Sequence, residues 1–392
     1  VQSLATHNDL SLKVASSIDS VPAAAWDALD RKDNPFLSHA FLSLMERSKS
    51  VGIGTGWDPH YVLAYRGQDL VGAAPSYLRS DSYGEYVFDW AWAQAAQRAG
   101  LAYYPKITVA VPFTPATGPR LLGDAREALV VGLDALCAKT KAHGIHVLLC
   151  RDDEAAFFET QGYARRATHQ FHFRNANYKT FDDFLGAMHS SARKNLRKER
   201  KKVTDSGVEI SLHHGEALEP AVWERVNQLY LNTSSRKWGR PYLTEAFFEL
   251  APKMVQDNVV LVLAREHGEI IAMSLSFAST SGIYGRYWGA VKEVDGLHFE
   301  LCYHRLVQHA IERGLKLVEA GAQGEHKIKR GFLPVITHSA HKLTHGGLFA
   351  AVRRSIEPET QEAFATLPQL AAVGPFREDA VPPYPLIAGI DL

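Results

Sequence analysis

Residues Val62–Leu78 read VLAYRGQDLVGAAPSYL, and residues Val262–Ala278 read VLAREHGEIIAMSLSFA; the two stretches align without a gap. Each is an apolar run, a polar turn holding a glycine, and a second apolar run, which is the pattern of a β-hairpin. The same hairpin twice in one chain points to an internal duplication, and the flanking sequence bears this out. Upstream, PFLSHAFLSL (Pro35–Leu44) matches PYLTEAFFEL (Pro241–Leu250), and PAAAW ending at Trp26 matches PAVW ending at Trp223. Downstream, both copies carry an amphipathic helix closed by a glycine and followed by a strand, CAKTKAHGIHVLL in the first and VQHAIERGLKLVEA in the second. QGY (Gly162) and RGF (Gly331) come next, and then THQFH (Thr168–His172) and THSAH (Thr337–His341) at matching distances from those glycines.

The expected fold class is therefore α/β, with two lobes of one plan: strand, two helices, hairpin, further strands, long helix, strand, short helix, Gly-aromatic turn and last strand. Lobe one is expected over residues 1–178 and lobe two over 208–355, with a basic helical segment at 179–207 between them and a tail at 356–392. A chain of 392 residues suits two ordinary domains. Lysine plus arginine equal aspartate plus glutamate at 43 each, so no global field recruits nucleic acid or a membrane, and any basic site must be local. Cys137, Cys150 and Cys302 are odd in number and far apart, which fits neither a disulfide framework nor zinc spacing. No signal-like start and no apolar run of about 20 residues is present, so a cytoplasmic location is expected.

The copies differ where each carries an insertion. Copy one has SVGIGTGWDP (residues 50–59) between the matched helix and hairpin. Its glycines suggest a phosphate loop, yet nucleotide loops follow a strand and open a helix, and here the order is reversed. A connector with Trp57 as a contact surface for substrate is expected instead. Copy two has extra residues before Pro241, within LNTSSRKWG. There Arg236, Lys237, Trp238 and Arg240, with Tyr242 after them, gather arginine forks and an indole suited to a phosphate or a nucleobase, or to a packing plug.

The element order of each copy resembles the GNAT acyltransferase fold, with DDEAAFFETQGY similar to that family's short helix before Gly-Phe. Two such lobes in tandem resemble the FemAB-like transferases. FDDFLGAMHSSARKNLRKERKKVTDSGVEI resembles their basic lead-in to lobe two, TGPRLL their Gly-Pro before the lobe-one helix, and KIKRGF their lysine-x-Gly-Phe. SVGIGTGWDP, SYGEYVFDWAW and VPFTPATGPRL resemble a bacterial subfamily linked to peptidoglycan biosynthesis or recognition. The resemblance implies transfer of an acyl or aminoacyl group from aminoacyl-tRNA to an amine of a cell-wall precursor, in a ternary complex and with no permanently bound cofactor. Acetyl-CoA-dependent relatives carry an Arg/Gln-x-x-Gly-x-Gly/Ala pyrophosphate turn, which TPATGPRLLGDAREAL and KEVDGLHFEL both lack. An acyl-CoA-dependent N-acyltransferase is the second enzyme reading, and a non-catalytic protein that recognises a glycan or peptide is the third.

Acyl transfer to an amine needs a proton acceptor and donors aimed at the developing oxyanion. The resemblance places Lys329 at the charge-stabilising position, with Glu325, His326 and Arg330 beside it after a buried strand. In lobe one the matching strand end, LLCRDDE, offers Asp152 or Asp153, as an acid near the site or as the opening of a helix. SYGEYVFDWAW, read as a strand, puts Glu85 and Asp89 among aromatics, where an ammonium or amine acceptor would fit, unless the segment is internal packing. Arg193–Lys202 holds seven basic residues and one acid, a solvated helix or a surface for a polyanion such as tRNA. His338, His341 and His345 suggest a metal, but a three-residue step on a strand points two rings to opposite faces, and none is expected.

Overall fold

The computed structural model describes residues 1–237, 240–322 and 324–382, with the backbone alone at 235–237. The chain forms two compact units: Val1–His169 with Ile336–Ala365, and Gln170–Val335 with the segment from Thr366. These divisions fall elsewhere than the lobe boundaries suggested by the repeat, because the last strand of each copy extends across them.

In chain order, the first copy contains β1 (Gln2–His7), β2 (Leu10–Ala15), α1 (Ala23–Asp27), α2 (His39–Arg47), β3 (Trp57–Pro59), β4 (Tyr61–Arg66), β5 (Asp69–Ala74) and β6 (Ser76–Arg79). It continues with α3 (Trp90–Arg98), β7 (Lys106–Val109), β8 (Leu122–Gly123), α4 (Arg126–Thr140), β9 (Gly144–Cys150), α5 (Asp152–Thr160) and β10 (Ala164–Arg174). The second copy contains α6 (Phe181–Gly186), α7 (Ser190–Asp205), β11 (Glu209–His214), α8 (Pro220–Lys237), α9 (Glu245–Met254), β12 (Val259–Glu266), β13 (Glu269–Ala278) and β14 (Gly282–Ala290). Then come α10 (Leu297–Phe299), a π-helical turn (Glu300–His304), α11 (Arg305–Glu312), β15 (Leu317–Glu319), a 3-10 turn (Glu325–Arg330), β16 (Leu333–Leu343) and α12 (Gly346–Ala372).

The two hairpins agree pair by pair. Val62 faces Ala74, Leu63 faces Ala73 and Ala64 faces Gly72; Val262 faces Ser274, Leu263 faces Met273 and Ala264 faces Ala272. Both then shift register at the same place, between Ala64 and Tyr65 and between Ala264 and Arg265. A shared bulge at a shared position is a detail that hydrophobic pattern alone does not impose, so it supports common descent of the copies. The hairpins part company at Pro75. Pro lacks the amide that a central ladder requires, so the first copy breaks into β5 and β6, which join different sheets, whereas the second copy runs unbroken as β13.

Unit one holds two sheets, β1-β2-β4-β5-β8 and a second in which β9, β7, β6 and β3 are neighbours. The outer edge of β9 is paired with His338–Leu343 of β16, a strand from the second copy. In unit two, β11-β12-β13-β14-β15 is extended by His172–Arg174 of β10, from the first copy. Each copy thus lends its last strand to the unit built by the other. The repeat shows which strands are alike but not where they pair, so this exchange is invisible in sequence.

In unit two, one face of the sheet carries Val260, Val262, Ala272, Ile283, Val318, Phe171 and Phe173 into a core closed by Leu301, Leu306, Val307 and Ala310. β14 and β15 are parallel and bonded only from Gly282–Tyr284 to Leu317–Glu319; β14 then continues to Ala290 paired with β13. Gly331 closes the 3-10 turn at φ 85°, a left-handed conformation, and a Cβ there would lie 2.6 Å from the Phe184 ring, so glycine is required on two counts.

The glycine loop of unit one runs from helix to strand as expected. Two of its amides are spent within the loop, Gly52 N–H on the Trp57 carbonyl at 2.9 Å and Thr55 N–H on the Gly52 carbonyl at 3.1 Å. Trp57 departs from expectation: it is 1% exposed, donates Nε1–H to the Tyr83 carbonyl at 3.0 Å and stacks under the Arg79 guanidinium at 3.6 Å. It is a core residue of unit one, and the reading of it as a substrate contact is corrected.

Candidate functional site

SYGEYVFDWAW is not a strand. The stretch turns at Gly84, and α3 begins at Trp90, which leaves Glu85 and Asp89 pointing inward. Lys106, from β7, donates to Glu85 at 2.8 Å, to Asp89 at 2.5 Å and to the Ser82 hydroxyl at 2.7 Å. Arg79 adds a bond to Glu85 at 3.3 Å, and Tyr103 donates its hydroxyl to Asp89 at 2.6 Å. All four charged side chains are at most 2% exposed. The ammonium that acids on an aromatic wall were read to invite is supplied by the chain itself, so Glu85 and Asp89 are corrected from substrate-binding to structural. Burial alone would raise the Asp89 carboxyl, but the Lys106 charge and the bonds from Lys106 and Ser82 outweigh it and hold the group below its usual range.

Asp152 is the first residue of α5, capped not by itself but by Arg151. Its carboxylate takes a bond from Arg165 and lies 3.1 Å from His338 Nε2 on β16. His341, three residues on, faces the other way and meets His146 with the two Nδ1 atoms 2.9 Å apart. Among the described residues no cluster of His, Cys, Asp and Glu is arranged to hold a metal ion.

These histidines make an acid-sensitive device in unit one. Burial, reinforced by neighbouring cations, lowers His338 to about 4 and His146 to about 3, and pushes His341 well down. A group whose folded pKa is depressed stays neutral in the native state while the unfolded chain takes up a proton below about pH 6.5. The stability they confer is therefore complete above pH 6.5 and lost as pH falls towards 4. Urea midpoints are expected to hold between pH 8 and 7 and fall steadily from 6.5 to 4, with His341→Gln making the slope shallower. An unchanged slope in that variant would show that His341 titrates normally.

In unit two, Lys329, Arg330, Glu325 and His326 lie together in the 3-10 turn Glu325–Arg330. Lys329 and Arg330 line a cavity of about 300 Å³ with Ser191, Asn195 and Glu199 of α7 and with His189, the residue before it. Arg330 forks onto Glu199, gives Nη1 to the His326 carbonyl at 2.7 Å and lies 3.4 Å over the Phe299 ring. Glu199 also accepts from His304 at 2.7 Å. Burial would raise the Glu199 carboxyl, and the hydrogen bonds from His304 and Arg330 reverse that and lower it. Arg330 thus has its donors committed, whereas Lys329 is exposed and has no hydrogen bond or ion pair to any described residue. His326 meets the Tyr303 hydroxyl at 3.0 Å, and burial together with Arg330 and Lys327 lowers its pKa, so it is neutral at pH 7. Glu325 is exposed.

Sequence reasoning counts Lys327 among the polar residues of this turn and gives it no role of its own. Its side chain is 1% exposed, its Nζ donates to the Gly321 carbonyl at 2.8 Å, and burial lowers it to about 8. Two lysines, two apart on one tight turn, carry no local signal that tells the buried one from the exposed one.

The side chains of Arg236 and Lys237, and all of Trp238, lie outside the described residues. Arg240 is exposed, and the Tyr242 amide is held by the Tyr230 hydroxyl at 2.8 Å. On α7, Arg197 pairs with Asp182, Arg200 with Glu300, Lys201 with Asp205 and Lys202 with Asp295. Arg193, Lys194 and Lys198 make no side-chain hydrogen bond or ion pair with any described residue.

A second cavity of unit two, about 400 Å³, lies at the end of β14 and the start of α10, where a pyrophosphate turn would be. Glu293 and Asp295 line it, and its lysine, Lys292, is paired with Glu266 at 2.7 Å. Two carboxylates repel a diphosphate, so the residues present do not fit the pyrophosphate of coenzyme A. Among the described residues no helix is long and apolar enough to cross a membrane.

No curated protein sequence matches the chain. Among solved structures, FemX is similar at TM-score 0.53 and 12% identity, covering 87% of this chain and 100% of its own. A conserved protein of unknown function from Bacteroides thetaiotaomicron VPI-5482 is similar at TM-score 0.50 and 11% identity, covering 84% and 98%. A tandem GNAT protein from the clavulanic acid biosynthesis pathway matches at TM-score 0.45 and 12% identity over 86% of this chain and 99% of its own. The likeness to FemX shows the fold, two tandem GNAT-like lobes. The model of the FemAB-like family, described as peptidoglycan biosynthesis/recognition, matches residues 17–378, and the chain belongs to that family.

Proposed function

We propose that the protein transfers an aminoacyl or acyl group to a primary amine of a cell-wall precursor, with aminoacyl-tRNA as donor. The observation that carries this reading is the exposed, unpaired Lys329 on the rim of a cavity beside a neutral histidine. A neutral amine attacks the ester carbonyl, and charge gathers on the carbonyl oxygen as the tetrahedral centre forms. An ammonium without a competing carboxylate is suited to meet that charge, and Lys329 is given this role. The amine must lose a proton, and His326, held neutral and set by the Tyr303 hydroxyl, is given that role ahead of the exposed Glu325. Arg330, tied to Glu199, fixes the turn that presents both. Asp152 sits in unit one, tied to Arg165 and His338, and is given no chemical step.

The carboxylates at the start of α10 argue for aminoacyl-tRNA over acyl-CoA, and Arg193, Lys194 and Lys198 offer charge to a polyanion. The test is direct. Purified protein is incubated with charged tRNA and an amine-bearing muropeptide, and in parallel with acetyl-CoA and longer acyl-CoAs in a titration calorimeter. Transfer from charged tRNA and no heat with the acyl-CoAs is the expected result. Turnover with an acyl-CoA and none with charged tRNA would overturn the donor assignment.

A further inference from the structure

The second face of the unit-two sheet changes character along its width. Over β12, β13 and β14 it is apolar: Leu261, Leu263, Leu275 and Phe277 are buried there, and α8 packs on β14. At β15 and β10 the same face becomes polar. In the antiparallel and parallel ladders, His172 stands opposite Glu319 and Glu319 opposite Tyr284, so the three form one row across the sheet, with Arg174 two residues along on the same face. Apolar Phe171, Phe173 and Val318 alternate with them and fill the core on the opposite face.

Arg174 is the anomaly in this row. It is 5% exposed, its Nε is sealed from solvent, and its side chain makes no hydrogen bond or ion pair with any described residue. Glu319 and Tyr284 act on it only through their fields. Other buried cations of the chain are answered: Arg79 and Lys106 by carboxylates, Arg120 by main-chain carbonyls. An ordinary lysine or histidine in such a place sheds its proton, but a guanidinium stays charged. Beside it, His172 shares Nε2 with Gln170 at 3.2 Å, while its Nδ1, also sealed from solvent, has no partner. Burial, with the charges of Arg174 and Lys327, keeps that ring neutral. A buried, permanently charged fork whose sealed Nε–H bonds to nothing, and which the Glu319 carboxylate reaches only through its field, is costly unless an anion completes it.

We propose that Arg174 is the anchor of an oxyanion-binding site on this face of unit two, taking a carboxylate or phosphate of the substrate in its guanidinium fork, with His172 beside it. The site rests on the transferase reading only for whose anion it takes: an acceptor bearing both a reactive amine and an oxyanion would be held by the latter. Arginine suits the task because its planar fork bonds both oxygens of such a group at once.

The test is thermal unfolding of the full chain in a chloride buffer, with sodium phosphate or sodium acetate added against sodium chloride at equal ionic strength. One or both anions are expected to raise Tm saturably; phosphate alone points to a phosphate source and acetate alone to a carboxylate. In Arg174→Met, which removes the fork and keeps an apolar chain of similar length, that rise is expected to vanish. Arg174→Lys keeps the charge without the fork and is expected to weaken the anion at least tenfold. No response to either anion in the wild type overturns the proposal. So does a response that survives in Arg174→Met, or unchanged affinity in Arg174→Lys should the methionine variant not fold. Anion binding is read without turnover, so a wild type that binds through Arg174 but transfers nothing would remove the transferase reading and leave this site standing.

Discussion

Lys106→Met is expected to destabilise the protein by about 3–5 kcal/mol, the usual cost of breaking a buried ion pair by removing one partner. Lys106 is the hub of its network: it reaches both Glu85 and Asp89, and its own pKa is raised because those two carboxylates overcome the effect of burial. Without it, Glu85 keeps Arg79 and the Thr108 hydroxyl, but Asp89 keeps only the neutral hydroxyls of Tyr103 and Ser82 among these partners. An almost fully buried carboxylate must then stay charged without a cation or take up a proton, and both options cost free energy. A companion variant separates charge from shape: Lys106→Met combined with Asp89→Asn, which leaves the Arg79–Glu85 pair in place, is expected to recover much of the loss, since no buried carboxylate is then left without a cation. Urea midpoints of the single and double variants, compared at pH 7.5, provide the check. A single variant within 0.5 kcal/mol of wild type would mean that water reaches the network and that its charges are solvated.

That network also shows why the sequence was only partly legible. The duplicated hairpins are short-range objects, set by a run, a turn and a second run, so the alignment of Val62–Leu78 with Val262–Ala278 carried over to the paired residues and even the bulge. The partner of Glu85 and Asp89 is a lysine in a later strand, inside KITV, where nothing local distinguishes a buried charge from an exposed one. Acid and aromatic were legible; the cation that claims them was not. Trp57 was misjudged for a related reason, because an indole after a glycine loop looks exposed until Arg79 and Phe113 are seen to cover it. The exchange of β10 and β16 is a matter of pairing, which periodicity does not encode. Arg174 and His172 lie in a stretch whose alternation, FHFR, correctly marks a strand but leaves open that its polar face is buried as deeply as its apolar one. What the sequence did carry to the site was the turn GEHKIKRGF, since a glycine that only a left-handed turn explains fixes the side chains around it.

Lys329→Ala is expected to lower kcat by about a hundredfold or more. Loss of one donor to a developing oxyanion costs about 3 kcal/mol in the barrier, and at 1.36 kcal/mol per tenfold that is about two orders of magnitude. The fold should not notice, because an exposed lysine without a partner contributes under about 0.5 kcal/mol to stability. Lys329 is such a residue: it stands on the cavity rim opposite the start of α7, while the turn beneath it is fixed by Arg330 on Glu199, by Gly331 and by buried Ile328. Its place can therefore be vacated without moving its neighbours. Lys329→Arg keeps the positive charge on a longer, branched head and should recover part of the lost rate, whereas Lys329→Met, similar in length but uncharged, should not. The measurement is kcat with charged tRNA and an amine-bearing muropeptide, alongside a melting curve for each variant. Full turnover in the alanine variant would make Lys329 an ordinary surface residue and leave His326 as the group on which chemistry at this turn depends. A large fall in Tm would make it structural, against its exposure. Loss of kcat with an unchanged Tm, partly recovered by arginine, is the outcome that a charge-stabilising role requires and that a purely structural one does not produce.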